Sequence, residues 1–317
     1  GRGTLIMPER KFTPFNFIAL IAGLLFAVFP ILWMVSTSFK LRSEWVTSPP
    51  TWISSAPTVD NYLTILAPHI LLERRGGTQQ VGDEDFGGSK DDAAGGAIAD
   101  FLNRSAWPGI KGSIIISISA TILSIVVGLM AAISISRYRF GGNFTPFFIL
   151  AGRMFPPIAI AIPFVIMFGP KVFDITDTYI GLILAYAAVT VPFSTWMLKS
   201  FVDDLPHEIE EAAMMDGYSR WRAHFTVTVP LIKGGIIATT LFIFILNWSE
   251  FLFALILTYT NVQTIPVTLS KYFSATEGTL YGVQAALAMV SIVPLVTVGF
   301  FIQKHLVRGL TLGAIKR

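Results

Sequence analysis

The stretch EAAMMDG at residues 211–217, followed by a proline at position 230, is the most informative part of this sequence. Carboxylates crowd the turn before it, where the helix dipole favours negative charge, and its two alanines extend a small apolar face. Gly217 stands where a left-handed residue commonly ends a helix, and Ser219 can cap a second helix that Pro230 ends. The stretch therefore predicts a short polar helix–turn–helix whose small face suits contact with another protein.

These residues resemble the EAA loop of ABC importer permeases, which carries Glu-Ala-Ala, two residues, Asp-Gly and a Leu-Pro-like pair downstream. Valine at position 229 stands where the family usually has leucine. The segments NWSEFLFA at 247–254 and VRGLTLGAIK at 307–316 are similar to segments of the MalG-type branch of carbohydrate permeases. The resemblance extends over about residues 8–65 and 107–317, and the matching loop residues are Glu211, Ala212, Ala213, Asp216, Gly217 and Pro230.

The resemblance implies an all-α integral membrane protein with the type I ABC importer permease fold, six transmembrane helices and a cytoplasmic EAA coupling helix. It also implies partners, namely a second permease subunit, two copies of an ABC ATPase, an extracytoplasmic solute-binding protein and membrane lipid. No cofactor is expected in this chain, because ATP and Mg would lie on the partner ATPase. The EAA residues would dock that ATPase, and the permease would move solute by alternating access.

Composition independently indicates a membrane protein. Hydrophobic residues make up 53% of the chain and charged residues 14%, which is about half the charge of an average soluble domain. A helix needs about 20 apolar residues to cross a bilayer, and a retained first anchor fits better than a cleaved signal peptide. Four of six candidate runs carry no charge, while Arg153 interrupts the third and Glu250 the fifth. The six runs are 17–36, 114–136, 145–168, 179–198, 235–259 and 282–303.

Lysines and arginines in the short flanking segments favour one side of the membrane, which the positive-inside rule assigns to the cytoplasm. Both termini are therefore expected in the cytoplasm, with the chain spanning a bacterial cytoplasmic (inner) membrane several times. The net charge of +3 is dispersed among short loops, so no nucleic-acid partner is expected. The predicted segments are a cytoplasmic N-terminal segment (1–16), a first span (17–36), a periplasmic loop (37–113) with a Gly- and Asp-rich insert (74–96), a permease core (114–303) containing the EAA loop (199–234), and a cytoplasmic tail (304–317).

The sequence offers no convincing catalytic or metal-binding motif. Residues 83–88, DEDFGG, invite a calcium site but miss the EF-hand ligand pattern, which favours a solvated loop. The four histidines are scattered, and the sequence contains no HExxH, Walker A or GxSxG pattern. Without a Walker A loop this chain cannot cradle ATP phosphates in the usual way. The chain is predicted to be a non-catalytic subunit without a metal site, with ATP hydrolysis on a separate polypeptide.

Polar residues inside a predicted span mark a candidate solute pathway, because ionisable groups in the membrane are costly and are usually functional or paired. Asn247 and Glu250 are expected on one face of the fifth helix, with Trp248 beside it. An aromatic ring with amide and carboxylate acceptors suits a polyhydroxylated solute. The alternative for Glu250 is an interhelical hydrogen bond or ion pair, and Arg153 can equally snorkel, pair with a carboxylate or serve an anionic solute.

Three classes of function fit these features. The favoured class is an ATP-driven, binding-protein-dependent ABC importer permease for a sugar or sugar-derived solute, or alternatively for a non-sugar polar solute. An ion-coupled secondary transporter is the second class, although the inverted repeats common in such proteins are not evident. A membrane-embedded enzyme is the third. The sequence leaves open which solute is carried, whether this chain or its partner permease binds it, and what the insert does.

Overall fold

The computed structural model describes residues 13–74, 105–142, 144–153, 156–274 and 278–313. These residues form a helical bundle with one short antiparallel hairpin, in which Phe273 pairs with Thr279. The helices are α1 (Pro14–Ser38), α2 (Asp60–Leu66), α3 (Pro68–Arg74), α4 (Trp107–Tyr138), α5 (Phe144–Arg153), α6 (Pro157–Phe168), α7 (Tyr179–Asp203), α8 (His207–Met215), α9 (Arg220–Leu231), α10 (Lys233–Trp248), α11 (Leu252–Leu257), α12 (Ile265–Lys271) and α13 (Tyr281–Gly313), and the strands are β1 (Phe273–Ser274) and β2 (Gly278–Thr279).

Within this described part of the chain, α1, α4, α7 and the first 21 residues of α13 are long and apolar enough to cross a bilayer unbroken. Helices α9 and α10 add a fifth span if they are counted together, although the chain bends by 75° between them. The sequence predicted one helix for each apolar run, but the runs 145–168 and 235–259 are each divided into two helices. In the first, Pro156 has an extended backbone (ψ 130°) and stands outside the helix that Pro157 begins.

Helices α4 and α7 form the centre of the bundle and pack closely along their length. Gly128 permits the approach, because a Cβ there would lie 2.2 Å from Oγ of Ser194. The Ser194 hydroxyl donates to the backbone oxygen of Ser124 at 2.7 Å, and the Ser124 and Thr190 hydroxyls share a hydrogen bond of 2.7 Å. Small residues and buried hydroxyls thus hold together two helices that apolar side chains alone would keep farther apart.

The bundle contains two buried apolar clusters, and α10 contributes to one of them. One cluster joins α4, α6, α7, α11 and α12 and includes Tyr186 and Phe253. The other joins α2, α4, α10, α12 and α13 and includes Phe244 and Trp248. Helix α10 contacts α4 and α7 as well as α13, and residues that are adjacent on it face different neighbours.

The two ends of the bundle carry different connections, which we call the α8 end and the α12 end. At the α8 end, α8 and α9 connect α7 to α10. At the α12 end, Asp177 accepts hydrogen bonds from four successive backbone N–H groups, those of residues 259–262, at 2.9–3.1 Å. Of the predicted insert 74–96, Arg74 ends α3 and residues 75–96 lie outside the described residues, as do 1–12 and 314–317.

Candidate coupling helix and intramembrane cavity

Helix α8 contains the alanines of the EAA stretch and ends in a Schellman turn. Gly217 has φ +89°, which confirms the left-handed residue that the sequence predicted. The Tyr218 N–H donates to the oxygen of Ala213 at 3.2 Å, and the Gly217 N–H donates to that of Met214 at 3.0 Å. These two bonds satisfy carbonyls that the helix end would otherwise leave free, so the position of the turn is fixed by Gly217.

Helix α9 begins as the sequence predicted, because the Ser219 hydroxyl accepts the Arg222 N–H at 3.4 Å. It then passes through a π-helical turn at His224–Thr228 and ends at Leu231, one residue beyond Pro230. Such turns place an additional residue in the helix and are frequent at functional sites. The chain bends by 75° after this helix and enters α10.

The residues of the predicted ATPase-docking surface divide into two groups. Glu211, Ala212, Asp216 and Gly217 are exposed on α8 and its turn, and Pro230 is exposed on α9. Ala213 is only 7% exposed, so it does not belong to the free face on which the sequence placed it. It is one turn from Glu210, whose carboxylate contacts Thr228 of α9, so both residues lie on the side of α8 that faces the rest of the chain.

Glu210 is a buried carboxylate that connects α8 to two other helices, a role that the sequence did not reveal. It is 7% exposed, and its carboxylate accepts from Nε of Arg137 at 2.9 Å and from the hydroxyl of Thr228 at 2.5 Å. Burial alone would raise the pKa of Glu210, but the hydrogen bonds from Thr228 and Arg137 outweigh burial and lower it. The sequence did contain one sign that Glu210 is buried: it lies three residues before Ala213, on the same face of the helix.

A cavity of about 200 Å³ opens beside α8 at the α8 end of the bundle. Its lining is mostly polar and charged because Glu210, Arg137, Tyr138 and His224, which we call the Glu210 cluster, form one wall and the exposed start of α9 forms another. The residues that line it are Arg137, Tyr138, His207, Glu210, Glu211, Met214, Arg220, Ala223 and His224.

A second cavity, of about 260 Å³, lies within the apolar part of the bundle between α5, α6, α7, α10 and α11. Its polar lining consists of Tyr186, Thr190, Asn247 and Glu250, and its other lining residues are apolar or glycine. The Asn247 amide donates to the hydroxyl of Thr121 on α4 at 3.1 Å, while its Oδ1 is buried with no hydrogen-bond partner. A buried acceptor without a donor is costly, so it suits a ligand that brings a hydroxyl or amide N–H.

Glu250 does not lie on a continuous helix, which corrects the expectation that it shares a helical face with Asn247. Helix α10 ends at Trp248, and Glu250 precedes α11. Its carboxylate accepts the backbone N–H groups of Phe253 at 3.1 Å and Ala254 at 3.4 Å, so it caps α11. The Tyr186 hydroxyl donates to the backbone oxygen of Glu250 at 3.3 Å. Asn247 and Glu250 still line the same cavity because the chain turns at the break.

Trp248 occupies a different place from the one that the sequence predicted. It is 3% exposed, and its Nε1 lies 3.2 Å from both the backbone oxygen and the hydroxyl of Ser291 on α13. Its ring packs beside Phe244, with the ring centroids 5.6 Å apart. Trp248 is not among the residues that line the cavity, so its described contacts support α10 rather than the solute pathway.

The part of the chain that forms α8 and the intramembrane cavity matches a known protein family. Residues 124–312, which include α7, α8, the intramembrane cavity and the C-terminal part of α4, match the family described as the binding-protein-dependent transport system inner membrane component. The chain belongs to this family. It is therefore a multi-pass membrane subunit of an ABC importer, a transporter that works with an ATPase and a binding protein. The family resemblance inferred from the EAA loop is confirmed.

Relatives of this permease family extend the match over most of the chain. The trehalose/maltose transport system permease protein MalG of Thermococcus litoralis is 30% identical, with 94% of this chain and 96% of that protein covered. The diacetylchitobiose uptake system permease protein NgcG of Streptomyces coelicolor is 28% identical, with 97% and 90% covered. A bacterial ABC transporter involved in alginate import has a chain of the same fold, with a TM-score of 0.67 at 19% identity and coverage of 94% and 98%.

Proposed function

We propose that this permease carries a sugar or sugar-derived solute into a bacterial cell, across the cytoplasmic membrane, at the expense of ATP. In this proposal it pairs with a second permease subunit, and two copies of an ABC ATPase bind the pair. ATP and Mg bind to those ATPases, and an extracytoplasmic solute-binding protein delivers the solute at the α12 end. The α8 end and both termini face the cytoplasm, in line with the lysines and arginines that flank the spans.

The observation that carries the proposal is the coexistence of two features in one bundle. Helix α8 leaves Glu211, Ala212 and Asp216 free at one end, and the cavity that contains Asn247 lies within the apolar part. Closure of an ATPase dimer on two such helices would rotate the permease subunits as rigid bodies and open the cavity to one side at a time. Neither feature alone would serve an importer.

The chemistry of the cavity favours a hydroxyl-rich solute. The free Oδ1 of Asn247 can accept a hydroxyl proton, and the Tyr186 ring offers an apolar face to the C–H groups of a sugar. The names of the MalG and NgcG relatives refer to saccharides, which supports the same class of solute. A non-sugar polar solute with several donors is the second candidate, since Oδ1 accepts from any donor.

The proposal is tested in liposomes that contain the permease pair, with or without its ATPase and binding protein. We expect uptake of a labelled oligosaccharide, and solute-stimulated ATP hydrolysis, only when both partners are present. Glu211→Lys should abolish uptake while the binding protein still binds the solute, because Glu211 is exposed on the docking helix. Uptake driven by an ion gradient without the ATPase would establish a secondary transporter instead, and selective uptake of a non-sugar solute would overturn the sugar assignment.

A further inference from the structure

Helix α8 is held to its own chain mainly by charge and hydrogen bonds. Only two of its nine residues are buried, Glu210 and Ala213. A single methyl group buries little apolar area and cannot fix the orientation of a helix. The contacts of the Glu210 carboxylate therefore determine how α8 sits on the bundle.

Arg137 provides the connection from α8 to α4. Its Nε donates to Oε1 of Glu210 at 2.9 Å, and its Nη2 donates to the backbone oxygen of Leu205 at 3.1 Å. The side chains of the ion pair are only 3% and 9% exposed, so water screens the attraction little. Arg137 thus holds both the helix and the segment that leads into it.

Two residues of the π-helical turn in α9 complete the attachment. Thr228 donates to Oε1 of Glu210 at 2.5 Å, while Nδ1 of His224 lies 3.6 Å from Oε2 and makes no hydrogen bond. The other ring nitrogen of His224 is 2.9 Å from the hydroxyl of Tyr138, which stands next to Arg137 on α4. Helices α4, α8 and α9 are therefore joined in a closed ring of polar contacts around one carboxylate.

Helix α4 also contacts a residue that lines the intramembrane cavity. Thr121 on α4 accepts the hydrogen bond from the Asn247 amide, and it precedes Arg137 by sixteen residues in the same unbroken helix. At about 1.5 Å per residue, the two contacts are roughly 24 Å apart along one rigid element. A displacement of α8 that is transmitted to Arg137 will consequently displace a residue that holds the cavity wall.

We propose that Arg137 and Glu210 are positioning residues for energy coupling: they make α8 and α4 move together, so that motion of a docked ATPase reaches the cavity. This inference rests on the proposed function, since it requires an ATPase on α8. The pair acts through geometry and touches neither the solute nor the nucleotide. The exposed residues of α8 serve docking, and the buried pair serves transmission.

The test compares Glu210→Gln with wild type in the complete reconstituted transporter. Glutamine preserves the size of the side chain and one acceptor oxygen but removes the charge that holds Arg137. We expect the variant to retain its ATPase copies, while the solute moved per ATP hydrolysed falls by about tenfold. The half-saturating concentration of binding protein should stay unchanged, because delivery takes place at the opposite end.

Lys199→Gln is the matched control, because it breaks an exposed ion pair with Asp203 that lies within α7 and does not connect it to α8. Wild-type transport per ATP in Glu210→Gln complexes would overturn the inference. If that variant fails to assemble, Arg137→Gln keeps a donor at this position but removes the positive charge that holds Glu210, and unchanged coupling there would overturn the inference equally. A wild-type permease that transports without any ATPase would refute the proposed function and, with it, this role of the pair, whereas unchanged coupling in the variants would refute the role of the pair alone.

Discussion

Asn247 and Trp248 are adjacent in the sequence, but their side chains bind different helices: Asn247 donates to Thr121 of α4, and Trp248 donates to Ser291 of α13. Only Asn247 also lines the intramembrane cavity. Successive helical residues point about 100° apart, which is sufficient to place them in separate environments. The two residues therefore allow solute contact and helix packing to be separated experimentally.

The first prediction concerns Asn247. Asn247→Ala removes the free acceptor and the donor to Thr121, so we expect uptake to fall by up to about tenfold while the ATPase stays bound. The measurement is initial uptake in liposomes over a range of solute concentrations. Ser249→Ala is the control, because its exposed hydroxyl donates only to Ile245 of the same helix. Normal uptake kinetics in Asn247→Ala would show that the solute site lies elsewhere, most simply on the partner permease.

The second prediction concerns Trp248. Trp248→Ala should destabilise the purified complex by about 3–5 kcal/mol, because it leaves a large buried void beside Phe244. Trp248→Phe keeps most of that packing and loses the hydrogen bonds to Ser291, so it should cost about 1 kcal/mol. Thermal unfolding of the two variants is the measurement, with uptake normalised to folded complex. A reduced affinity for solute in Trp248→Phe would show that Trp248 belongs to the solute pathway after all.

Much of the architecture could be predicted from local sequence. Four of the six apolar runs located the unbroken spans, and Gly217 with Ser219 located the end of α8 and the start of α9, because caps depend on residues within one turn. The break between α10 and α11 could not be read in the same way, since the run is apolar on both sides of it. It depends on the Glu250 carboxylate capping α11, and a carboxylate in an apolar run has several alternative uses.

The Glu210 cluster shows the limit of local reasoning more clearly. Glu210 is one of three glutamates in a short stretch, and from the sequence all three were related only to the helix dipole. Its partner Arg137 is separated from it by 73 positions, and that distance is closed only when α4 and α7 pack together. Helical spacing placed Glu210 on the face of Ala213, but a pairing across the fold is set by tertiary structure.

The third prediction concerns the break at Glu250. Glu250→Ala removes the cap of α11 and should destabilise the start of that helix by about 1 kcal/mol. Glu250→Gln retains one acceptor oxygen and most of the shape, so its effect should be smaller. Amide hydrogen exchange at Phe253 and Ala254 measures this local opening. Equal protection of both amides in wild type and Glu250→Ala would contradict the capping role, whatever happens to transport.

The fourth prediction concerns the turn after α8. A Cβ at Gly217 would meet nothing within 4 Å, so any effect of substitution comes from its φ of +89° and not from a clash. Gly217→Val should therefore destabilise the turn by about 1–2 kcal/mol and reduce the ATPase retained on purification. Gly217→Asn should be milder, because asparagine tolerates the left-handed region. If valine and asparagine have the same effect on ATPase retention, the backbone of this turn is not what the docking requires.

The last prediction concerns Asp177 at the α12 end. Partial burial opposes ionisation of Asp177, but the N–H groups of Asn261, Tyr259, Thr260 and Val262 outweigh it and lower the pKa to about 2. The folded pKa lies below the unfolded value of about 3.9, so the ionised Asp177 stabilises the folded protein. This contribution to stability is fully present above about pH 4 and is lost as the pH falls towards 2. Amide exchange of the complex, corrected for the intrinsic rate at each pH, should therefore show constant protection at 259–262 between pH 7 and about 4.

Asp177→Asn should reduce that protection at pH 7, since an amide offers one acceptor oxygen where the carboxylate offers two and carries no charge to attract the four N–H groups. Asparagine also tolerates the positive φ of 56° at this position, so backbone strain does not confuse the comparison. Asp174→Asn is the matched control, because Asp174 is an aspartate of the same loop with φ 52° and none of these four bonds. Unchanged exchange in Asp177→Asn, or the same loss in both variants, would show that the loop is ordered by its apolar neighbours and not by this carboxylate.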